Sequence, residues 1–392
     1  QSSVYGSGAI GGTINITTKK GKPGMQNDFN YTTGSNKTHN LSASVSGADE
    51  KNNFYVGLQR FQTDGISAMT HNDEKDKYRN NSLVASYGYT FSDQFEIINK
   101  LRVSENYLQY DATSATSGYD HSEEVDGVEA SYNLNFLYKP LENFTNNFTV
   151  ANTYIKRIYG DAPNSKNVKK DNYYGERYTF MYSGNYNFDL DNSIVFGFDR
   201  EDDEMGYNAN VSGTDYEHSY IESKYFDFQK RFSNNLYGTF GSRFDEHSVA
   251  GKEEAHRASL AYLFNDKSTK IKTSFGTGFR YPSLYEMFYV WGANKETVLP
   301  FVKAETSNSF DIGLEKKYDK LNFEINYFNL TYDNVIEGWE ASGFATQNQS
   351  GTVESEGIEL MSNWDINNFF NLDLNYTYTS TYDGAEQDNV GN

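Results

Sequence analysis

Apolar and polar residues alternate with a period of two along most of this chain. From Val128 onward, Val128, Ala130, Tyr132, Leu134, Phe136 and Tyr138 share one face, and Glu129, Ser131, Asn133 and Asn135 share the other. Leu321, Phe323, Ile325 and Tyr327 repeat the pattern against Asn322, Glu324 and Asn326, as do Leu372, Leu374, Tyr376 and Tyr378 against Asp373, Asn375 and Thr377. Such alternation predicts amphipathic β-strands, long for a globular sheet. No stretch carries an apolar stripe at helical spacing over a helical length, so the expected class is all-β and antiparallel.

The connections sharpen the expectation. Tight polar turns are predicted at 91–94, 139–143, 189–192, 232–235, 264–267, 318–320 and 365–368. Between them lie longer polar loops near 110–125, 159–172, 200–216, 246–254, 281–306 and 336–353, with another near 62–78. Short and long connections in alternation are what a transmembrane β-barrel shows, with short periplasmic turns and longer extracellular loops. The pattern predicts about 17 strands, an odd number, whereas single-chain bacterial barrels close with an even one. An odd count implies a barrel that is incomplete here, with 382–392 opening an outer loop. A soluble sandwich or propeller accounts for the alternation, but not for strand length, loop alternation or tyrosines near strand ends.

Composition agrees with this once the barrel is considered. Only 37% of the 392 residues are hydrophobic, while 16% are aromatic, with 33 Tyr and 28 Phe. No run approaches the ~18 apolar residues of a membrane helix, but a membrane strand needs only ~10 residues with every second one apolar. Mean hydropathy, -0.76, is therefore uninformative about a barrel. The net charge of -20 argues against a nucleic-acid partner. The absence of cysteine removes disulfides and thiol chemistry. Gln1 is neither an initiator nor the start of a signal peptide, so a targeting sequence is expected upstream.

At the N-terminus Gly6, Gly8, Gly11 and Gly12 crowd a path without Cβ atoms, and Thr13–Thr18 reads as a short β-branched strand closed by a Lys19–Gly24 turn. Gly6-Ser7-Gly8-Ala9-Ile10-Gly11 satisfies a dinucleotide-binding spacing, but strand formers follow it where a helix is required. The segment Val4-Tyr5-Gly6-Ser7-Gly8-Ala9-Ile10-Gly11-Gly12-Thr13-Ile14-Asn15-Ile16 resembles instead the closing segment of the plug domain of TonB-dependent outer-membrane receptors. The resemblance implies the end of a plug at 1–24 and a receptor barrel at 25–392, of the 22-stranded plugged type and incomplete here by roughly five C-terminal strands. Tyr5, Gly6, Gly8, Gly11, Gly12 and Asn15 then act as structural plug residues. Phe275–Glu286, with Arg280, Pro282 and Leu284, resembles the family's Arg-x-Pro-x-Leu loop, followed by Glu305–Glu315 as returning strand. Gly351 and Glu356-Gly357-Ile358-Glu359 resemble its Gly-x-Glu strand. The family's Asn-Pro-x-Leu-x-Pro-Glu is replaced here by Asn294–Glu305.

The resemblance implies active transport of a scarce nutrient across the outer membrane of a Gram-negative cell, by a monomer embedded among lipid and lipopolysaccharide. TonB would pull on an N-terminal box outside this sequence. Within the family, strand spacing and compact loops are most similar to cobalamin transporters, in which acidic loops bind calcium. Asp73, Glu74 and Asp76, with Asp111, Asp120 and Asp126 in the next loop, are the corresponding candidate ligands, and a set of solvated loop charges is the competing reading. Asp199, Glu201, Asp202, Asp203 and Glu204 form a denser acidic cluster, read as a solvated or ion-bridged surface. Acidic loops repel anionic ferric siderophores more than a corrinoid, which leaves a siderophore or haem receptor as the alternative. An outer-membrane enzyme is not expected, because His39, His71, His121, His218, His247 and His256 have no recognisable catalytic partner motif. A passive porin lacks a plug.

Overall fold

The computed structural model describes residues 2–16, 19–67, 75–111, 122–161, 170–209, 215–288, 302–337 and 346–384. Their strands are β1 (Gly24–Gly34), β2 (Thr38–Ala48), β3 (Asn52–Thr63), β4 (Tyr78–Ser92), β5 (Phe95–Asp111), β6 (Ser122–Leu141), β7 (Phe144–Asp161), β8 (Lys170–Asn187), β9 (Ser193–Ala209) and β10 (Asp215–Arg231). They continue as β11 (Leu236–His247), β12 (Gly251–Leu263), β13 (Thr269–Arg280), β14 (Glu305–Lys317), β15 (Leu321–Asp333), β16 (Ile336–Glu337), β17 (Gln347–Asn348), β18 (Thr352–Asn367) and β19 (Phe370–Asp383). Two short helices, α1 (Ser2–Tyr5) and α2 (Leu284–Phe288), complete the described elements. Seventeen strands form one sheet, matching the expected count, and β16 pairs separately with β17.

The chain divides into two compact units, one of Ile16–Tyr182 with Arg200–Tyr220, the other of Gln1–Asn15, Ser183–Asp199 and Ile221–Asn392. In the first unit β1 to β7 pair consecutively and antiparallel. The register aligns Leu58, Leu83, Val103, Ala130 and Tyr154 in one row across five strands, and Gln59, Ser82, Ser104 and Glu129 in the row beside it. A period of two thus becomes two chemically distinct faces. Tyr132, Val128 and Leu58 on the apolar face are exposed, as a lipid-facing surface requires. Val128 to Tyr138 spans ten residue steps, ~34 Å along the strand, which at a ~40° tilt gives ~26 Å of height, close to the ~25 Å apolar band of outer-membrane barrels.

In the second unit β10 to β15, β18 and β19 continue the antiparallel pairing. Phe240, Ala258, Phe275 and Phe310 align in one row, and Ile312, Tyr327, Ile358 and Tyr378 in another. A small core of Ala255, Phe279, Tyr281 and Ala304 packs against Ile221 and Ala250.

The predicted turns all lie between strands of the sheet; further turns join β1 to β2, at 35–37, and β2 to β3. There the Asp49 carboxylate accepts the backbone N–H groups of Lys51 and Asn52 at 2.8 and 2.7 Å. Asp189 does the same for Asp191 and Asn192, and Asp266 for Ser268 and Thr269. An aspartate that satisfies the i+2 and i+3 amides closes each of these hairpins. Register shifts fall beside three other turns, at Thr90/Ser92, Tyr138/Leu141 and Asp365/Asn367.

Four expectations are corrected. Residues 13–16 form no strand, and Ile14 and Ile16 are 92% and 83% exposed; β-branched residues alone do not make a strand without a partner edge. The expected loop at 246–254 is a three-residue turn, Ser248–Ala250, fastened by the His247 ring, whose Nδ1 accepts the N–H groups of Val249 and Ala250 at 3.0 Å. Strand β9 runs on to Ala209, well into the segment near 200–216 read as a loop, because the ladder continues after the hydropathy alternation stops. The acidic run 199–204 is accordingly strand, in β9.

Candidate functional site

The first residues of the chain meet the polar face of β11, β12 and β13 in the second unit. β11 alternates Phe240 and Phe244, both exposed, with Gly241, Arg243 and Asp245, all buried. The strand pleat therefore sends the arginine and the aspartate to the same side, two residues apart. Arg243 is enclosed by charge of opposite sign and by backbone. Its Nη1 donates to Asp199 Oδ2 at 2.9 Å and to the Val4 carbonyl at 3.3 Å, and its Nε donates to Asp245 Oδ1 at 2.8 Å. The guanidinium also lies 5.3 Å from the centroid of the Tyr225 ring. Its side chain is only 5% exposed, so the two carboxylates and the carbonyl replace the water it has lost.

Gly6 fits this arrangement and no larger residue does. A Cβ at that position would stand 2.8 Å from Arg243 Nη2, and the backbone holds φ at +75°. Gly8 and Gly12 also have positive φ, but nothing lies within 4 Å of an added Cβ at either. Two different demands thus share one glycine-rich stretch: close approach at Gly6, and backbone freedom at Gly8 and Gly12. Gly11 needs neither, and Asn15 is exposed. Tyr5 is in α1, and its side chain is outside the described residues.

A second tie joins Ser7 to the loop after β13. The Tyr281 N–H donates to Ser7 Oγ at 2.9 Å, while the Tyr281 hydroxyl reaches the carbonyls of Asp245 and Gly251 at 3.2 and 3.1 Å. His247 packs its ring 4.9 Å from that of Tyr281. Ala9 is buried to 3% exposure. The terminal segment is thus fixed to the wall by a buried cation, a tyrosine amide and a buried methyl group.

The Arg280-Tyr281-Pro282-Ser283-Leu284 stretch, singled out from sequence, is a charge fork followed by a helix start. Arg280 donates from Nε to Glu305 Oε2 at 2.7 Å and from Nη1 to Glu286 Oε2 at 3.0 Å. Glu305 in turn accepts the Ile336 N–H at 2.6 Å. Ser283 and Glu286 form a capping box: Ser283 N–H donates to Glu286 Oε2, and Glu286 N–H to Ser283 Oγ. Burial alone raises the Glu286 carboxyl, but the Arg280 guanidinium and the Ser283 donors outweigh it and hold the group below the ordinary glutamate range. Pro282 precedes the cap, and Leu284 is buried at the first helical position. The Ser-x-x-Glu spacing announces α2 in the sequence, although no helix was expected there.

Of the candidate calcium ligands, Asp73, Glu74 and Asp120 lie outside the described residues, as does the Asp111 side chain. Asp76 is half-buried, with its N–H on the Ile66 carbonyl at 3.3 Å, and Asp126 is exposed on β6 opposite Tyr107. Among the described residues no three His, Asp or Glu side chains gather in metal-binding geometry. The cluster in β9 is ion-bridged: Arg177 spans Glu201 and Asp203, Arg200 pairs with Asp202, and Asp199 holds Arg243. Arg243 and Asp245 were not anticipated. Their signal was an Arg-x-Asp pair on the polar face of a strand that also carries Gly238 and Gly241.

A family profile described as "TonB dependent receptor-like, beta-barrel" matches residues 17–392. Vitamin B12 transporters BtuB are similar to this chain: that of Vibrio cholerae serotype O1 is 22% identical over 377 residues, covering 92% of this chain and 57% of the relative. That of Photobacterium profundum is 23% identical over 409 residues, covering 98% and 61%. The chain thus spans about three-fifths of the length of these curated relatives. Among solved structures, the copper transporter OprC superposes with a TM-score of 0.77 at 14% identity, covering 94% of this chain and 63% of that one. The siderophore receptor PirA from Acinetobacter baumannii gives 0.76 at 16%, covering 96% and 65%. At such identities these likenesses show the fold. Sequence profile, seventeen-stranded sheet and lipid-type outer face together place the chain in the TonB-dependent receptor-like β-barrel family.

Proposed function

We propose that this chain is the wall of a TonB-dependent transporter that takes a corrinoid, cobalamin in particular, across the outer membrane. The observation that carries the transport reading is Arg243, which holds the N-terminal segment against the interior wall through the Val4 carbonyl. A wall built to seat such a segment suits a gated channel rather than an open pore. The protein would work as a monomer in a bilayer bearing lipopolysaccharide, energised by TonB, and the reading gives it no catalytic step.

Cobalamin is favoured over a ferric siderophore by the relatives described as vitamin B12 transporters and by the net charge of -20, which disfavours strongly anionic cargo. Siderophore or haem uptake is the second reading, supported by neighbours such as PirA and the haemophore receptor HasR. Calorimetry of the full-length protein with cyanocobalamin, in calcium and in chelator, separates them. Saturable binding supports the corrinoid reading, and binding that weakens in chelator supports calcium in the outer loops. No heat in either condition overturns the corrinoid reading.

A further inference from the structure

We propose that Lys100 and Arg102 form an anion-binding site on the interior face of β4, β5 and β6 that engages the phosphodiester of a corrinoid in transit, an inference that rests on the corrinoid reading above. Leu101 and Val103 lie in the apolar face of β5, so the pleat sends Lys100 and Arg102 together to the polar one. Their Cα atoms are two steps apart, ~7 Å, a separation that two long cationic side chains close easily around one phosphate.

The surroundings supply the remaining partners. Ser86 and Asn133 flank Lys100 across the ladders, and Ser131 stands opposite Arg102. With Asn80, Ser82 and Ser104 these residues line a cavity of about 470 Å³. Hydroxyl and amide groups turn donors toward an anion as readily as acceptors toward water.

Among the described residues neither Lys100 nor Arg102 makes an ion pair or side-chain hydrogen bond, whereas Arg257, Lys272 and Arg280 are each held by a carboxylate. Glu129 shares the polar face, opposite Ser104, without pairing with Arg102. Glu96, two steps of the same face before Lys100, makes no ion pair with either cation among the described residues.

The test compares cyanocobalamin with cobinamide, which has the corrin ring but no nucleotide-loop phosphate, as cargo for the full-length protein in cells. K100Q/R102Q is expected to slow cyanocobalamin uptake about tenfold and leave cobinamide within about twofold, and K100R/R102K to restore the rate. Unchanged cyanocobalamin uptake overturns the proposal. So does equal slowing of both cargoes, which would place a plug carboxylate, not cargo, on the two cations. If the wild type takes up neither corrinoid, the corrinoid reading fails, and the anion site is then judged by titrating purified protein with inorganic pyrophosphate. Saturable heat that K100Q/R102Q abolishes supports the site; no saturable heat in the wild type overturns it.

Discussion

The backbone of Gly6 lies directly on the guanidinium of Arg243, with no room for a methyl group between them. Gly6→Ala should therefore cost more than its unfavourable φ alone, which for an L-residue is worth about 1–2 kcal/mol. Gly8→Ala is the control, since it carries the φ penalty in open space. Hydrogen exchange over residues 2–10 of the full-length protein should rise in Gly6→Ala and much less in Gly8→Ala. Equal protection in the two variants would mean that the contact with Arg243 does not hold the segment.

The same contact makes Arg243 a keystone of charge. Arg243→Met leaves Asp199 and Asp245 buried without a cation, a change that typically costs about 3–5 kcal/mol. Asp199→Asn should cost only about 1–2 kcal/mol, because Asp245 still neutralises the guanidinium and the amide oxygen still accepts. Denaturant unfolding in detergent or lipid would order the variants, and an Asp199→Asn more damaging than Arg243→Met would contradict the assignment.

The capping box gives a narrower effect. Ser283→Ala removes the acceptor for the Glu286 N–H and should destabilise the α2 start by about 1 kcal/mol. Glu286→Gln retains a side-chain acceptor for the cap but breaks the ion pair with Arg280, so its effect should shrink in high salt while that of Ser283→Ala does not. Thermal unfolding at two ionic strengths distinguishes the two.

At the hairpin turns, pH is the handle. Backbone and side-chain donors hold the carboxyls of Asp49 and Asp189 below the ordinary aspartate range; at Asp266 the Lys316 side chain leads, with Thr269 and Ser268. A carboxyl depressed in the folded state stabilises the fold above its unfolded value, near 3.9, and loses that contribution as pH falls through the folded value. The contribution of these three turns should thus be flat from pH 7 to about 5 and decline below it. Asp266→Asn should lower the plateau and weaken the acid decline, as read from denaturation midpoints between pH 7 and pH 2.

Strands inside the apolar band were legible in the sequence because lipid on one side and polar contacts on the other write a period of two. The Val128–Tyr138 face was read residue for residue. Above the band both faces become polar, and β9 passed for a loop at Arg200–Glu204 although its backbone ladder continues. The site was less legible. Gly6 was marked by composition, but its partner Arg243 lies far along the chain, and only the sheet register brings β11 beneath the terminus. Thr13–Ile16 misled in the opposite sense, since β-branched residues state a preference that only a neighbouring strand can realise.

The face assignment itself can be tested at two adjacent residues of β6. Leu134 pairs with Val150 on the apolar face, while Asn133 pairs with Ala151 and lines the interior cavity beside Lys100. An arginine in the middle of the lipid-facing band costs about 2–4 kcal/mol, whereas interior positions of a wet barrel tolerate charge. Leu134→Arg should lower stability in lipid by that amount, and Asn133→Arg by little. The contrast should collapse in a detergent that wets the outer surface. If Asn133→Arg proved the costlier change in lipid, the faces would be reversed, and Lys100 and Arg102 would then face the membrane, where each charge is costly.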